Sequence, residues 1–318
     1  MINILNSEEF INRLKERRGS VSYRAMFSTW FNGIVTEPSL MLLPIDDHLV
    51  HRGDGVFEAI RFFSHNLYLG TEHLDRLIRS ARAISLPLPC STEKILEVIS
   101  EVITAANLIE GIIRIFVGRG VGDFSANPYS PLKSEMYIIA TPLNRLPEEL
   151  YEKGAKLILS DVPFKPFPYS TIKSCNYLQN VMMVKDAKDS KAHFAVNISP
   201  DGWIGEGAVE NIALVTRDNQ LLAPPFDYTL PGTTLVRLFE LSRNNQQYLG
   251  LSGISQRRLS VHDLTEAQEV LMIGTTTEVC PVTTFNEKPI GDGYVGLIAK
   301  NLRRLLLADI EESRTLKE

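Results

Sequence analysis

Apolar positions along the chain change period several times, and each change marks a predicted element. Leu74, Leu77, Ile78, Ala81 and Ile84 recur at helical spacing, as do Ile95, Val98, Ile99, Val102 and Ile103. Two amphipathic helices are therefore predicted on either side of the Pro-rich break at residues 86–91. Ahead of them, residues 26–69 hold the β-like runs FSTWFNGIV, LMLLPID and GVFEAIRFF, separated by Gly, Pro and Asn. The strand patterns GIIRIFVGR and EMYIIATPL close this half. The chain opens on an amphipathic helix running to about Arg18. Asn6 and Ser7 offer short side-chain acceptors at its start, and Glu8 and Glu9 sit near its N-terminal dipole.

The second half begins with a strand, KLILSDVPF, and a helix from about Tyr177 to Lys188. Two hairpins follow, turning at Ser199-Pro200-Asp201-Gly202 and Arg217-Asp218-Asn219-Gln220. Helices come after LPGTT at Leu230 and close the chain from Val295. Residues 143–149, with Asn, Arg and Pro between a strand and a polar stretch, read as a linker between domains at 1–142 and 150–318. Strands and helices mix in both halves, so the fold class is α/β (α+β) with two domains.

Composition narrows the function classes. The 318 residues are 44% hydrophobic and 22% charged, which excludes disordered, collagen-like and coiled-coil chains. With 33 Lys and Arg against 38 Asp and Glu the formal charge is -5, so there is no basic footprint and no nucleic-acid partner is expected. Cys90, Cys175 and Cys280 are unpaired in spacing, giving neither a disulfide framework nor a metal site. No signal-peptide pattern and no run of about eighteen apolar residues appears. A cytoplasmic protein without a membrane partner is expected.

Four places put polar groups in apolar or turn-rich settings. DDHLVHRGDGVFE, residues 46–58, surrounds a glycine turn with two His, an Arg and four acids. PFPYSTIKSCNYL sets Lys173 between a Pro-rich loop and a helix. GWIGEGAVENIALV interrupts an apolar hairpin with Glu206 and Glu210. The turns LPGTT and GTTTEV put Gly and hydroxyls at two predicted helix starts, where exposed amides make an anion site that one phosphate could share. Read alone, Thr233 and residues 275–277 fit simple caps and strand positions better than an anion site.

Taken in order, HRGDGVFEAIRFF, EHLDRLIRSA, IKSCNYLQNV, IGEGAVENIALV, LPGTT, GTTTEVCPV and IGDGYVGLIAK resemble the class IV aminotransferases, the fold-type IV pyridoxal-phosphate enzymes, over residues 24–305. The resemblance implies a smaller N-terminal α/β domain, a larger C-terminal domain with a barrel-like sheet, and a homodimer. It implies that Lys173 forms a Schiff base with pyridoxal 5'-phosphate and then moves the Cα proton. Glu206 would pair with the pyridine nitrogen and keep it protonated, with Glu210 and Asn211 in structural roles. Arg76 would bind the phosphate together with Thr233, Thr234 and Thr275, although by itself it reads as a helix-surface residue paired with Glu72. Tyr177 would hydrogen-bond the ring hydroxyl.

Substrate residues depart from the familiar patterns. Arg52 stands where L-branched-chain enzymes carry a tyrosine, and their tyrosine-x-arginine is missing from GIIRIFVGRGVGDFS. The arginine and histidine clamp of D-amino acid enzymes is missing after Arg119-Gly120. Arg52 is therefore read as the carboxylate binder, since a guanidinium grips a carboxylate bidentately. Its alternative is a surface arginine bonded to Asp54. Arg114 and Arg119 are weaker candidates, and Phe57 and Thr276 complete the expected substrate set. The texture favours transfer between a D-amino acid and a 2-oxo acid by a ping-pong mechanism. A 4-amino-4-deoxychorismate lyase, an L-branched-chain aminotransferase and a non-catalytic cofactor-binding homologue are the alternatives.

Overall fold

The computed structural model describes residues 2–16 and 23–315. Contacts divide the chain into two compact units: Met1–Leu143 with Ser174–Asn176, and Asn144–Lys173 with Tyr177–Glu318.

The first unit opens with α1 (Ser7–Glu16). Asn6 Oδ1 accepts the Glu9 N–H at 2.9 Å and the Asn6 N–H donates to Glu9 Oε2 at 3.0 Å, a reciprocal cap that starts the helix where expected. The expected end near Arg18 lies outside the described residues. Six strands follow: β1 (Ala25–Ser28), β2 (Gly33–Val35), β3 (Gly55–Phe63), β4 (Asn66–Leu67), β5 (Glu110–Gly118) and β6 (Glu135–Thr141). They form one antiparallel sheet in the order β2-β1-β6-β5-β3-β4. The helices are α2 (His48–Arg52), α3 (Gly70–Ala83) and α4 (Thr92–Ala106). Strand periodicity assigns the two faces. Val56, Glu58, Ile60 and Phe62 are buried on the phase of β3 against which α3 packs, while α4 packs on β6 and β1. Phe57, Ala59, Arg114 and Phe116 lie half-buried on the other face. LMLLPID is not a strand: it holds the end of a 3-10 turn at Pro38–Leu40 and then irregular chain, because the donors missing at Pro38 and Pro44 break any ladder there.

The second unit contains α5 (Glu148–Lys153), β7 (Ala155–Leu159), α6 (Leu178–Asp189), β8 (Phe194–Ile198), β9 (Ile204–Gly207), β10 (Asn211–Val215) and β11 (Gln220–Ala223). It continues through α7 (Thr233–Asn244), α8 (Gln246–Leu249), β12 (Gly253–Gln256), α9 (Val261–Thr265), β13 (Glu269–Gly274), β14 (Glu278–Phe285), β15 (Lys288–Pro289) and α10 (Leu297–Thr315). The mixed sheet runs β12-β11-β10-β13-β14-β7-β8-β9, with β15 beside β14. It curls until β9 returns to β10, where the Gly207 N–H donates to the Glu210 carbonyl at 2.8 Å. Leu157, Val196, Ile204, Ile212, Leu214, Val270, Met272 and Val282 fill its core, each burial contributing about 1.5–3 kcal/mol. LPGTT opens α7 as expected. GTTTEV does not open a helix: it turns the β13–β14 hairpin, with Gly274 opposite Glu278 and Glu278 at φ +56°. Among the described residues no helix is long and apolar enough to cross a membrane.

Candidate active site

Lys173 follows the 3-10 turn Tyr169–Thr171 and lies half-buried ahead of α6. The three residues after it are tied to β3 within the first unit. The Cys175 N–H donates to the Gly55 carbonyl at 2.8 Å, and Ser174 bridges Val56. Gly53, at φ +63°, approaches Asn176 so closely that a Cβ would stand 3.2 Å from its Cα. Within the second unit, Lys173 acts by charge on Glu210. Burial pushes the Glu210 carboxyl up to about 7, against the pull of the Val209 N–H, Thr277 and Lys173. Its Oε2 accepts the Val209 N–H at 3.2 Å and its Oε1 accepts the Thr277 hydroxyl at 3.5 Å.

Glu206 stands on β9, four residues before Glu210, and is held differently. Its Oε2 accepts the Leu230 N–H at 3.0 Å and the Asn211 Nδ2 at 3.5 Å, and the same Asn211 amide donates to the Leu230 carbonyl at 2.9 Å. One carboxylate is thus fixed to the turn that leads into α7. Gly232 caps that helix with no side-chain capping bond, and Thr233 and Thr234 are buried in its first turn. A Cβ at Gly232 would lie 1.8 Å from Asn211 Oδ1, so the glycine is what lets this turn close on the amide. Thr275 and Thr276 are half-buried in the β13–β14 turn, and Thr277 is buried on Glu210. A half-buried amine, a directed carboxylate and a helix N-terminus with buried hydroxyls in one unit match a cofactor that carries an aldehyde, a ring nitrogen and a phosphate.

Tyr177, expected from the resemblance, precedes α6 and carries the Lys165 ammonium 5.2 Å above its ring centroid. Lys165 was not among the expected residues. The signal was a lone lysine in the apolar stretch PFKPFP, and such a residue needs a partner once it is covered.

In the first unit Arg76 is buried on α3, but not on Glu72. Its Nε and Nη2 donate to Glu58 Oε1 and Oε2 at 2.7 and 2.8 Å, and His73 Nδ1 lies 2.7 Å from Glu58 Oε2. Glu58 and His73 were also missed; the available sign was a carboxylate at the inward phase of an apolar strand. Arg52 does not bond Asp54. It is exposed and donates to the backbone carbonyls of His51, at 2.9 Å, and Phe124. Arg119 takes Asp54 at 3.0 Å and the carbonyls of Ser85 and Ile84 at 2.8 and 2.7 Å, so its donors are committed to structure. Arg114 is half-buried on β5, and among the described residues no carboxylate pairs with it. Phe57 stacks on Phe116 at 5.9 Å.

A separate open cavity of about 410 Å³ is lined by Tyr151, Val279, Pro281, Arg303 and Leu307 among others and contains none of the expected residues. Arg303 there is bound to Glu148 and Glu278.

The amino-transferase class IV profile matches residues 55–285. The chain is 35% identical over 310 residues to the chloroplastic D-amino-acid transaminase of Arabidopsis thaliana, covering 97% of this chain and 82% of that protein. It is 30% identical over 276 residues to a putative branched-chain-amino-acid aminotransferase of Methanocaldococcus jannaschii, covering 86% and 93%. The crystal structure of the Escherichia coli branched-chain amino acid aminotransferase superimposes with a TM-score of 0.82 at 26% identity, covering 90% of this chain and 94% of that one. With the profile spanning most of the sequence, this chain belongs to the class IV aminotransferases.

Proposed function

We propose that this aminotransferase moves an amino group between a D-amino acid and a 2-oxo acid by a ping-pong mechanism. Its cofactor is pyridoxal 5'-phosphate, which when bound supplies a conjugated ring that accepts the electrons left on Cα. The protein's part is to bind, orient and move a proton. Lys173 Nζ would hold the cofactor aldehyde and would carry the proton to and from Cα. Glu206, held by Leu230 and Asn211, would pair with the ring nitrogen, and Tyr177 would bond the ring hydroxyl. Thr233, Thr234 and Thr275, with Arg76, would bind the phosphate. Among the described residues Arg114 and Arg52 both lack a carboxylate partner, but Arg52 is exposed and donates to the His51 and Phe124 carbonyls whereas Arg114 is half-buried, which supports Arg114 over Arg52 and over the Asp54-bound Arg119; Phe57 and Thr276 would supply apolar and hydroxyl contacts.

The observation that carries the D-amino acid assignment is the similarity to the Arabidopsis enzyme, which runs over nearly the whole chain. The branched-chain reading is favoured by the structural likeness to the Escherichia coli enzyme. A half-reaction separates them: D-alanine, D-glutamate and L-leucine are added separately to the cofactor-loaded enzyme, and its visible band is followed. Bleaching by D-amino acids alone supports the proposal, and bleaching by L-leucine alone replaces it with the branched-chain activity. A band that survives all three makes a lyase the next test. Borohydride fixation and peptide mapping are expected to label Lys173.

A homodimer in a reducing, cytoplasmic compartment is part of the proposal. Leu178 and Val181 of α6, and Val209 of the same unit, are exposed apolar side chains suited to contact with a second copy, and none of the three cysteines is in a disulfide. Light scattering at twice the chain mass is the expected result.

A further inference from the structure

Lys165 has no assigned role, yet it is anchored as tightly as the residues that do. Its Nζ donates to Asn180 Oδ1 at 2.6 Å, and the buried Asn180 in turn donates Nδ2 to the Ala208 carbonyl at 2.5 Å. Ala208 lies in the β9–β10 turn, two residues after Glu206 on β9. The ammonium is therefore locked over the Tyr177 ring, and its charge interacts with the Glu206 carboxylate. A half-buried ammonium kept by a loop, a helix and a hairpin at once is costly unless its charge is used.

We propose that Lys165 is a positioning residue of the cofactor site, whose ammonium sets the strength of the Glu206 charge and thereby the proton affinity of the group that Lys173 and Glu206 hold. This rests on the cofactor assignment given above. A fixed cation disfavours every neighbouring protonated, positively charged form and partly neutralises Glu206. Both effects have one sign: removing the cation raises the pH at which the Lys173-bound cofactor loses its proton. Burial pushes the Lys165 ammonium down from its ordinary value while Glu206 pulls it back up, so the two charges answer each other. Glu206 is the charged group acting on Lys165, Tyr177 is the titratable side chain beneath it, and Asn180 on α6 is neutral. Lys173 itself interacts by charge with Glu210.

The test compares wild type with Lys165→Met, Lys165→Gln and Lys165→Arg, each loaded with pyridoxal 5'-phosphate. The readouts are the pH midpoint of the visible band, the cofactor Kd by fluorescence quenching, and thermal melting. Lys165→Gln can still donate to Asn180 but carries no charge, which separates charge from packing. Both neutral variants are expected to raise the midpoint by about one unit, a tenfold change in proton affinity, with Lys165→Arg close to wild type. An unmoved midpoint in the neutral variants, or an equal rise in Lys165→Arg, overturns the proposal. If neither neutral variant folds, rescue by Lys165→Arg upholds the need for the charge, and failure of all three makes the role structural and overturns it. Borohydride mapping keeps the two readings apart. A label away from Lys173 in wild type defeats the cofactor assignment and this proposal with it, whereas a label at Lys173 with an unmoved midpoint defeats this proposal alone.

Discussion

Glu58 occupies an inward position of β3 whose neighbours in the pattern are Val56 and Ile60, and its carboxylate survives there only because both oxygens are bonded. Burial penalises the charge, but the Arg76 guanidinium and His73 outweigh it and hold the carboxyl well below the usual range. Removing one partner of such a pair leaves the other buried and uncompensated. Glu58→Gln is expected to cost about 3–5 kcal/mol in chemical denaturation and, by releasing Arg76, to weaken cofactor binding. The arginines Arg114 and Arg119 separate by the same logic. Arg119→Ala strips three bonds, so its melting temperature should fall. Arg114→Ala loses no ion pair, so its melting temperature should stay while the KM for the amino acid rises tenfold or more, about 1.4 kcal/mol. An Arg114→Ala enzyme with unchanged KM would return the carboxylate to Arg52.

At the level of elements, what was legible followed from periodicity. The recurrences at Leu74 and Ile95 gave α3 and α4 nearly to their ends, and the apolar runs GVFEAIRFF, GIIRIFVGR and EMYIIATPL gave β3, β5 and β6. The two Thr turns looked alike because a helix start and a hairpin turn use the same Gly and hydroxyl chemistry. They differ in a backbone angle, the positive φ of Glu278, that a glutamate in a sequence does not announce. Lys173 and Glu206 were singled out by their motifs. Lys165, Glu58 and His73 were not, because their roles arise from partners 12 to 41 residues away that only the fold brings together. The α7 start carries a prediction of its own. Gly232→Ala would force its Cβ into Asn211, which holds both Leu230 and Glu206, so the helix start and the carboxylate must shift together. Overpacking of this kind costs about 1–3 kcal/mol. Equilibrium dialysis is expected to show cofactor affinity reduced at least tenfold, and a stability loss with intact affinity would uncouple the turn from the site.

For the whole molecule, Glu58 and Glu210 pull the pH dependence of stability in opposite senses. Glu58 has a folded value below its ordinary 4.5, so its contribution is complete above that pH and is lost as the pH falls further. Glu210 is the reverse case. Its folded value of about 7 lies above the ordinary 4.5, so between these two pH values the folded chain holds a proton that the unfolded chain has released. Stability must then fall as the pH rises through that window, by about 3 kcal/mol, and level off above it. Glu269, also raised by burial against its bonds to Ile298 and Ala299, adds to the same decline. Urea denaturation of the cofactor-free protein should therefore find its greatest resistance near the acid end of this window rather than at neutrality. Glu210→Gln carries no titrating proton there, so its curve between pH 5 and 8 should flatten to the slope left by Glu269. Because Lys173 and Glu210 interact by charge, the same substitution should change the pH at which Lys173 takes up cofactor. A variant that flattens the stability curve but leaves cofactor uptake unaltered would show that the buried carboxyl serves the fold of the hairpin and not the amine.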